Sequence, residues 1–439
     1  MRFSLSSLAA VSGALLFGST LAAPTPRSIQ DYDVSNLLIS SDNTLNGTKH
    51  TGGPAVGGQS AQLPLELVNN LAGGAVNAYV TGLDSDNSVV MLQADGSWFY
   101  PTAGGAEPEP VTADIAIPLG AQGSVTNLTL PSYVSSGRVW FAEGELAFFT
   151  VQTEGGGVSL VQPSAANEED ASNGLNWGFV ELTNIAEGGL YANISYVDFV
   201  GLILGMKLET ESGDVQNVAG LPSDAVSLIC DDLAAQGSSD GQPWGELCVT
   251  GDDGSPIRAL APTDYLGRDP EAFSDYFTSY VDEVWSNFGS TPLTIDTQAD
   301  AGMVECTAGN GTALTCDGDN RGYEKPNAED IFGCNSGPFG ILEGDNDVHK
   351  AIVPRLCAAF VRTTFLVEGG EIQPGPSEET YYTEDPTNHY SRIVHEHEID
   401  GKGYAFAYDD VNPEGKNAAG VVAAADPKLL TVTIGGPSQ

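Results

Sequence analysis

Two carboxylates, Glu181 and Asp198, each interrupt a run of apolar, aromatic and β-branched residues. The runs read WGFVELTNIAE and YANISYVDFV, and Gly188-Gly189 lies between them. Such runs suit half-buried strands, where a lone carboxylate is disfavoured and calls for a reason. Paired carboxyls on one face can hydrolyse a glycosidic bond, one protonating the departing oxygen and the other activating water. Inversion needs roughly 6.5–9.5 Å between the two carboxyls, and retention about 5–5.5 Å. A two-residue loop at Gly188-Gly189 pairs Glu181 with Tyr196 and makes Asp198 its diagonal neighbour, about 7–8 Å away on the same face. That spacing suits inversion. A three-residue loop, Glu187 to Gly189, puts Glu181 opposite Ser195 instead, and Asp198 then reaches that face only through a bulge. The plainer alternative is a hairpin carrying two solvated acids.

The rest of the chain must position this hairpin. Short apolar runs cut by Gly, Asn and Asp-Gly begin at Leu63, and Ala94-Asp95-Gly96-Ser97 reads as a hairpin turn. Further strands are expected at Ala113–Pro118, Val125–Leu130, Arg138–Phe141, Leu146–Val151 and Val158–Val161. Strands at this spacing predict a sandwich or barrel, so the chain is expected to be mainly β. Near Lys207 the texture changes. LPSDAVSLICDDLAAQG predicts a helix with Ser223 as N-cap, and Pro270 to Phe288 predicts a second, capped by Asp269 and stopped by Gly289. Its Phe273, Tyr276, Phe277, Tyr280, Val281, Val284, Trp285 and Phe288 form a core stripe. Asp347 to Leu366 predicts a third helix, kinked at Pro354. The expected plan is a β part over 63–206, a mixed α/β insert over 207–367, and a linker with returning strands over 368–439. Strand texture resumes at Tyr404–Asp410 and in LLTVTIGG. A cleft between the two parts is the expected ligand site.

Composition narrows the partners. The net charge is −43, which argues against nucleic acid and anionic membrane and is compatible with a neutral polysaccharide. Residues 1–22 have a basic start, an apolar middle and small residues before Pro24, as in a secretory signal peptide. Residues 23–62 read as a polar leader. No later apolar run is long enough to span a bilayer, so a secreted, soluble monomer is expected. Six cysteines, all between Cys230 and Cys357, predict disulfides; the expected pairs are Cys306–Cys316, Cys334–Cys357 and Cys230–Cys248. Asn46, Asn127, Asn193 and Asn310 sit in glycosylation sequons. His395-Glu396-His397 could place two imidazoles on one strand face, but no third ligand is specified. An ordinary polar strand is expected there, with no metal and no cofactor. Asp409 and Asp410 read as turn-forming acids.

WGFVELT and YANISYVDFVG resemble glycoside hydrolase family 64, the inverting endo-β-1,3-glucanases that cut laminarin-type glucans. LPLELVNNLAGGAVNAYVTGLDS, LPSYVSSGRVWFAEGELAF, YVDEVWSNFG and HYSRIVHEHEIDGKGYAFAYDDV extend the likeness over roughly Leu63 to Gly436. SGRVW and YAFAYDD also resemble thaumatin-like proteins. The resemblance implies a thaumatin-like β-barrel or sandwich core, a mixed α/β domain and a wide cleft between them. Residue by residue, it makes Glu181 the general acid and Asp198 the general base. Thr183, Tyr191 and Ser195 match positions lining the glucan subsites, and Asn184 matches a further polar contact. Tyr191 stands where relatives can carry Trp. Strict alternation puts Tyr191 and Ser195 on the face opposite Asp198, so the strand must bulge between Ser195 and Asp198. The rival is a thaumatin-like glucan-binding protein without turnover, which would lack one of the two acids.

Overall fold

The computed structural model describes residues 61–72, 74–309, 311–413 and 420–437. The signal peptide, most of the leader, Asn46 and Asn310 lie outside them. In chain order the strands used below are β1 (Leu63–Asn69), β2 (Val76–Leu83), β3 (Val89–Leu92), β4 (Val125–Leu130), β5 (Val134–Glu143), β6 (Trp177–Ile185) and β7 (Gly189–Ile194). They continue as β8 (Phe199–Val200), β9 (Leu204–Thr210), β10 (Val215–Val218), β11 (Pro256–Leu260), β12 (Val421–Ala424) and β13 (Pro427–Ile434). The helices are α1 (Ala225–Asp240), α2 (Pro262–Leu266), α3 (Thr278–Phe288), α4 (Ala328–Gly333), α5 (Asp347–Val361) and α6 (His389–His397).

Beside a small sheet of Glu109–Pro110, Phe149–Gln152 and Val158–Val161, two large sheets frame the β part. One runs β10-β9-β13-β1-β4, with β1 and β13 parallel, so the last strand returns beside the first. The other runs β12-β7-β6-β5-β2-β3 and ends on Trp98–Phe99, across the Asp95-Gly96 turn. Period-two alternation explains how they pack. Leu63, Leu65 and Leu67 of β1 share one core with Val139 and Phe141 of β5, Val180 and Leu182 of β6, and Leu430 and Val432 of β13. The alternate residues Tyr79, Trp140, Trp177 and Phe179 point to the other side of the larger sheet and form a second, aromatic core. Both faces of that sheet are therefore buried, and its second face also carries Arg138 and Glu181.

The texture change at Lys207 does not end the sandwich, because β9 and β10 cross it and pair with β13. The helices and the three disulfides, Cys230–Cys248, Cys306–Cys316 and Cys334–Cys357, follow, paired as expected. Four local expectations are corrected. Helix α3 begins at Thr278, not Pro270, because Phe273 adopts φ 57° and the segment before it is a chain of turns. The Phe273 ring instead packs on Trp244 at 4.6 Å and on Phe332 at 5.3 Å. Helix α5 stops at Val361, where Thr363 turns to φ 52°. His395-Glu396-His397 is helical, within α6. Tyr404–Asp410 is a turn whose Ala405 N–H donates to Asp409 Oδ2 at 2.8 Å. Among the described residues no helix is long and apolar enough to cross a membrane, and no group of three or more His, Cys, Asp or Glu side chains could hold a metal ion.

Candidate active site

The hairpin closes on Ile185 and Gly189, which leaves Ala186, Glu187 and Gly188 as its loop. Gly189 begins β7 at φ 77°, and a Cβ there would lie 2.1 Å from the Ala424 carbonyl oxygen of β12. The second glycine is thus a close approach to a neighbouring strand, not the end of a two-residue turn. Glu181 therefore faces Asn193, and neither of the two expected registers is present. The three-residue reading had the right parity but lay two residues away. Thr183, directly opposite Tyr191, shares the face of Glu181. Asn184 faces the other side, fully buried, with its amide 3.5 Å from the Ala61 carbonyl, so the structure does not bring it to the acids.

Strand β7 ends at Ile194, before Asp198. Ser195 makes a lone parallel bridge to Tyr404, and the Tyr196 N–H donates to the Tyr404 carbonyl at 2.7 Å. Residues Tyr196 to Asp198 then bend away before β8 joins β11, and the Ala261 N–H donates to the Asp198 carbonyl at 2.8 Å. This break supplies the departure from alternation expected between Ser195 and Asp198. It also removes the diagonal pairing of Glu181 with Asp198, so strand geometry no longer sets their spacing. Tyr191 stacks its hydroxyl against Tyr404, 3.0 Å between oxygens.

Glu181 is 1% exposed. Arg138, opposite it on β5, donates through Nη2 at 3.0 Å and Nε at 3.2 Å, both to Oε1. Its Nη1 donates to Gln162 at 3.0 Å, and its guanidinium lies 4.4 Å from the Phe179 ring centre. Asn193 Nδ2 approaches Oε2 at 3.4 Å. Burial pushes the Glu181 carboxyl up; the Arg138 charge opposes this and the Asp198 charge adds to it. Asp198, which keeps partial exposure, is also raised by burial and held back by Arg138. Asp264, in the first turn of α2, is pushed well above the carboxylate range by burial and by the Asp198 charge, with Arg268 opposing. Three carboxyls thus compete for protons here. Burial raises all three, and the Asp198 charge acts on both Glu181 and Asp264.

Sequence reasoning missed Arg138, Asn193, Tyr404 and Asp264 as site residues. Arg138 had a signal, as a lone cation within an apolar strand. Asn193 had another, as the sequon residue that shares parity with Glu181. Asp264 had none, because its approach depends on the pairing of β8 with β11. The Asn193 sequon yields a prediction. A glycan would attach to Nδ2, the buried atom facing Glu181, whereas Asn127 is exposed on β4. Protein made in a glycosylating host will carry no sugar at Asn193, while Asn127 is open to modification. Peptide mass spectrometry finding high occupancy at Asn193 in folded protein contradicts the register.

Residues 61–434 match the family model for glycoside hydrolase family 64, beta-1,3-glucanase. Over 367 residues the chain is 29% identical to a glucan endo-1,3-beta-glucosidase of Cellulosimicrobium cellulans and 30% identical to one of Arthrobacter sp. (strain YCWD3). Each alignment covers 80% of this chain, and the chain spans about 62% of the length of these curated relatives. A crystal structure of a laminaripentaose-producing beta-1,3-glucanase in complex with laminaritetraose is similar, with TM-score 0.76 and 28% identity, covering 85% of this chain and 99% of that one. A beta-1,3-glucanase domain from Clostridium beijerinckii shares the fold at TM-score 0.67 and 21% identity, covering 86% and 98%. Because the match runs from the first core strand to the last, the chain belongs to glycoside hydrolase family 64, the beta-1,3-glucanases.

Proposed function

We propose that the chain hydrolyses internal bonds of laminarin-type β-1,3-glucan with inversion, using Glu181 as acid and Asp198 as base. The observation that carries this reading is the unlike pair of carboxyls in the family-matched stretch, Glu181 on β6 and Asp198 in the bend after β7. Glu181 is sealed from water, with burial pushing its carboxyl up against the Arg138 charge, while Asp198 keeps partial exposure. Protonated Glu181 donates to the glycosidic oxygen as the bond to the anomeric carbon breaks. Ionised Asp198 accepts a proton from the water that forms the new bond on the far side of that carbon. Inversion itself is carried over from the family likeness.

Thr183, Tyr191 and Ser195 are the proposed glucan contacts, with Tyr191 as the aromatic platform and Tyr404 bracing it. The glucan lies in a wide cleft between the thaumatin-like β part and the mixed α/β part. Acid/base chemistry of this kind requires no metal or cofactor. The proposed setting is outside the cell as a monomer; the three disulfides suit an oxidising compartment.

The test is incubation with laminarin, with products separated by size and fresh products examined by proton NMR. Oligosaccharides released in the presence of chelator, with the α anomer first, are expected. Binding of laminarin with no release over hours overturns the enzymatic reading in favour of a glucan-binding protein. The β anomer appearing first overturns inversion.

A further inference from the structure

Glu181 has two lateral neighbours in its sheet. Arg138 on β5 lies on one side and Asn193 on β7 on the other. They treat the two carboxyl oxygens differently. Both Arg138 donors converge on Oε1, and Oε2 receives the Asn193 amide alone, at 3.4 Å. A carboxyl proton goes to the oxygen with fewer and weaker donors, which here is Oε2. Asn193 is fully buried, and its Oδ1 has no hydrogen-bond partner. A buried polar atom left unpaired calls for an explanation. An amide kept at a cost to packing is kept for its donor. The opposite amide orientation would set two acceptors against each other whenever Glu181 is ionised.

We propose that Asn193 is a positioning residue for the acid step: Arg138, by claiming Oε1, leaves the transferable proton of Glu181 on Oε2, and the Asn193 side-chain amide stabilises the charge left there. When that proton passes to the glycosidic oxygen, the O–H electron pair stays on Oε2, and the Asn193 donor shortens onto it. In a site closed to water such a fixed donor is worth more than in solution. This rests on the assignment of Glu181 as the acid. The other charged or titratable groups acting on Glu181 are Arg138 from β5, Asp198 from the segment after β7 and Tyr191 from β7 itself, with Asp264 of α2 acting through Asp198.

The experiment compares pH profiles of kcat/KM for the wild type, Asn193→Ala and Asn193→Asp, on laminarin and on an aryl laminarioside with a good leaving group. For Asn193→Ala the basic limb, set by loss of the Glu181 proton, moves up by roughly half to one pH unit. Its kcat on laminarin falls about tenfold or more, with a smaller loss on the aryl substrate and little change in KM. Asn193→Asp keeps the shape, adds a like charge and moves the limb further up, so it carries the test if the alanine variant does not fold. An unmoved limb with equal losses on both substrates overturns the proposal. So does a raised KM at unchanged kcat, which marks an ordinary binding contact. If the wild type leaves laminarin intact, the acid/base reading fails separately. The Asn193 effect is then read from carbon NMR titration of the Glu181 carboxyl, where an unchanged midpoint in Asn193→Asp overturns it.

Discussion

Glu181→Gln is expected to lower laminarin hydrolysis by about two to four orders of magnitude, the usual worth of a positioned proton donor. The size of the loss depends on the leaving group. A sugar alkoxide departs poorly without a proton, whereas an acidic phenol needs little help. The Glu181→Gln variant therefore keeps more activity on an aryl laminarioside than on glucan. Asp198→Asn depresses both, because the attacking water lacks its base in either case. Added azide sharpens the contrast. In an inverting site a small anion can replace the activated water, so Asp198→Asn acting on an activated substrate yields an α-glucosyl azide. The retaining alternative is tested in the other variant: a β-glucosyl azide from Glu181→Gln makes the site retaining, because azide then displaces Asp198 from an α-linked glycosyl-enzyme. Equal losses on both substrates from Glu181→Gln remove Glu181 from the acid role. Arg138 adds a condition to the design. It already donates twice to Oε1, so the amide must keep its carbonyl oxygen there and turn its nitrogen toward Asn193.

Neither parity nor register was fixed by the hairpin's sequence, since the two loop readings differ by one residue and only the three-residue one has the observed parity. Side chains two apart share a face, so Thr183, Tyr191, Asn193 and Ser195 group with Glu181 even when the pairing slides by two. The slide came from Gly188-Gly189, which reads as a turn but serves two purposes. Gly188 closes the loop, and Gly189 admits the Ala424 backbone of β12, a strand more than two hundred residues later in the sequence. No local pattern encodes that approach. The end of β7 is just as non-local, since Ser195 is claimed by Tyr404. The strands themselves were readable because the sandwich core needs alternating Leu, Val and Phe. Helix α3 was readable from Phe277 onward, where the stripe is buried, and failed upstream, where aromatic rings from elsewhere hold Phe273 in a left-handed turn. His395 and His397, taken as one strand face, part company on a helix. His397 pairs with Asp232 of α1 at 2.7 Å, and His395 turns inward.

Asp409→Asn is expected to cost about 3–5 kcal/mol of stability, because it breaks a buried ion network from its centre. Asp409 meets Arg362 at 2.9 Å and His395 at 2.9 Å, and His395 also meets Glu398 at 2.9 Å. Arg362, Asp409 and Glu398 are nearly or fully buried, so a cation left unpaired finds no water to replace its partner. The two flanking carboxylates raise the His395 imidazolium from its usual range to about 10, against the opposing effect of burial, the largest single influence. The direction of the pH dependence follows. A pKa raised in the folded state adds stability in full below about pH 6.5 and loses it as pH rises toward 10. The Asp409 carboxyl is lowered instead: burial pushes it up, but His395 and Arg362 together outweigh this, so its contribution is present above the ordinary carboxylate range and lost in strong acid. The apparent Tm gap between wild type and His395→Gln is therefore widest from about pH 5 to 6.5 and narrows toward pH 10. A gap of constant width across that range denies the imidazolium its role. The same network fixes the turn that carries Tyr404, which holds Ser195 through its backbone and Tyr191 through its hydroxyl. Asp409→Asn should accordingly raise KM for laminarin even at temperatures where the variant stays folded. An unchanged KM in the folded variant confines the network to stability alone.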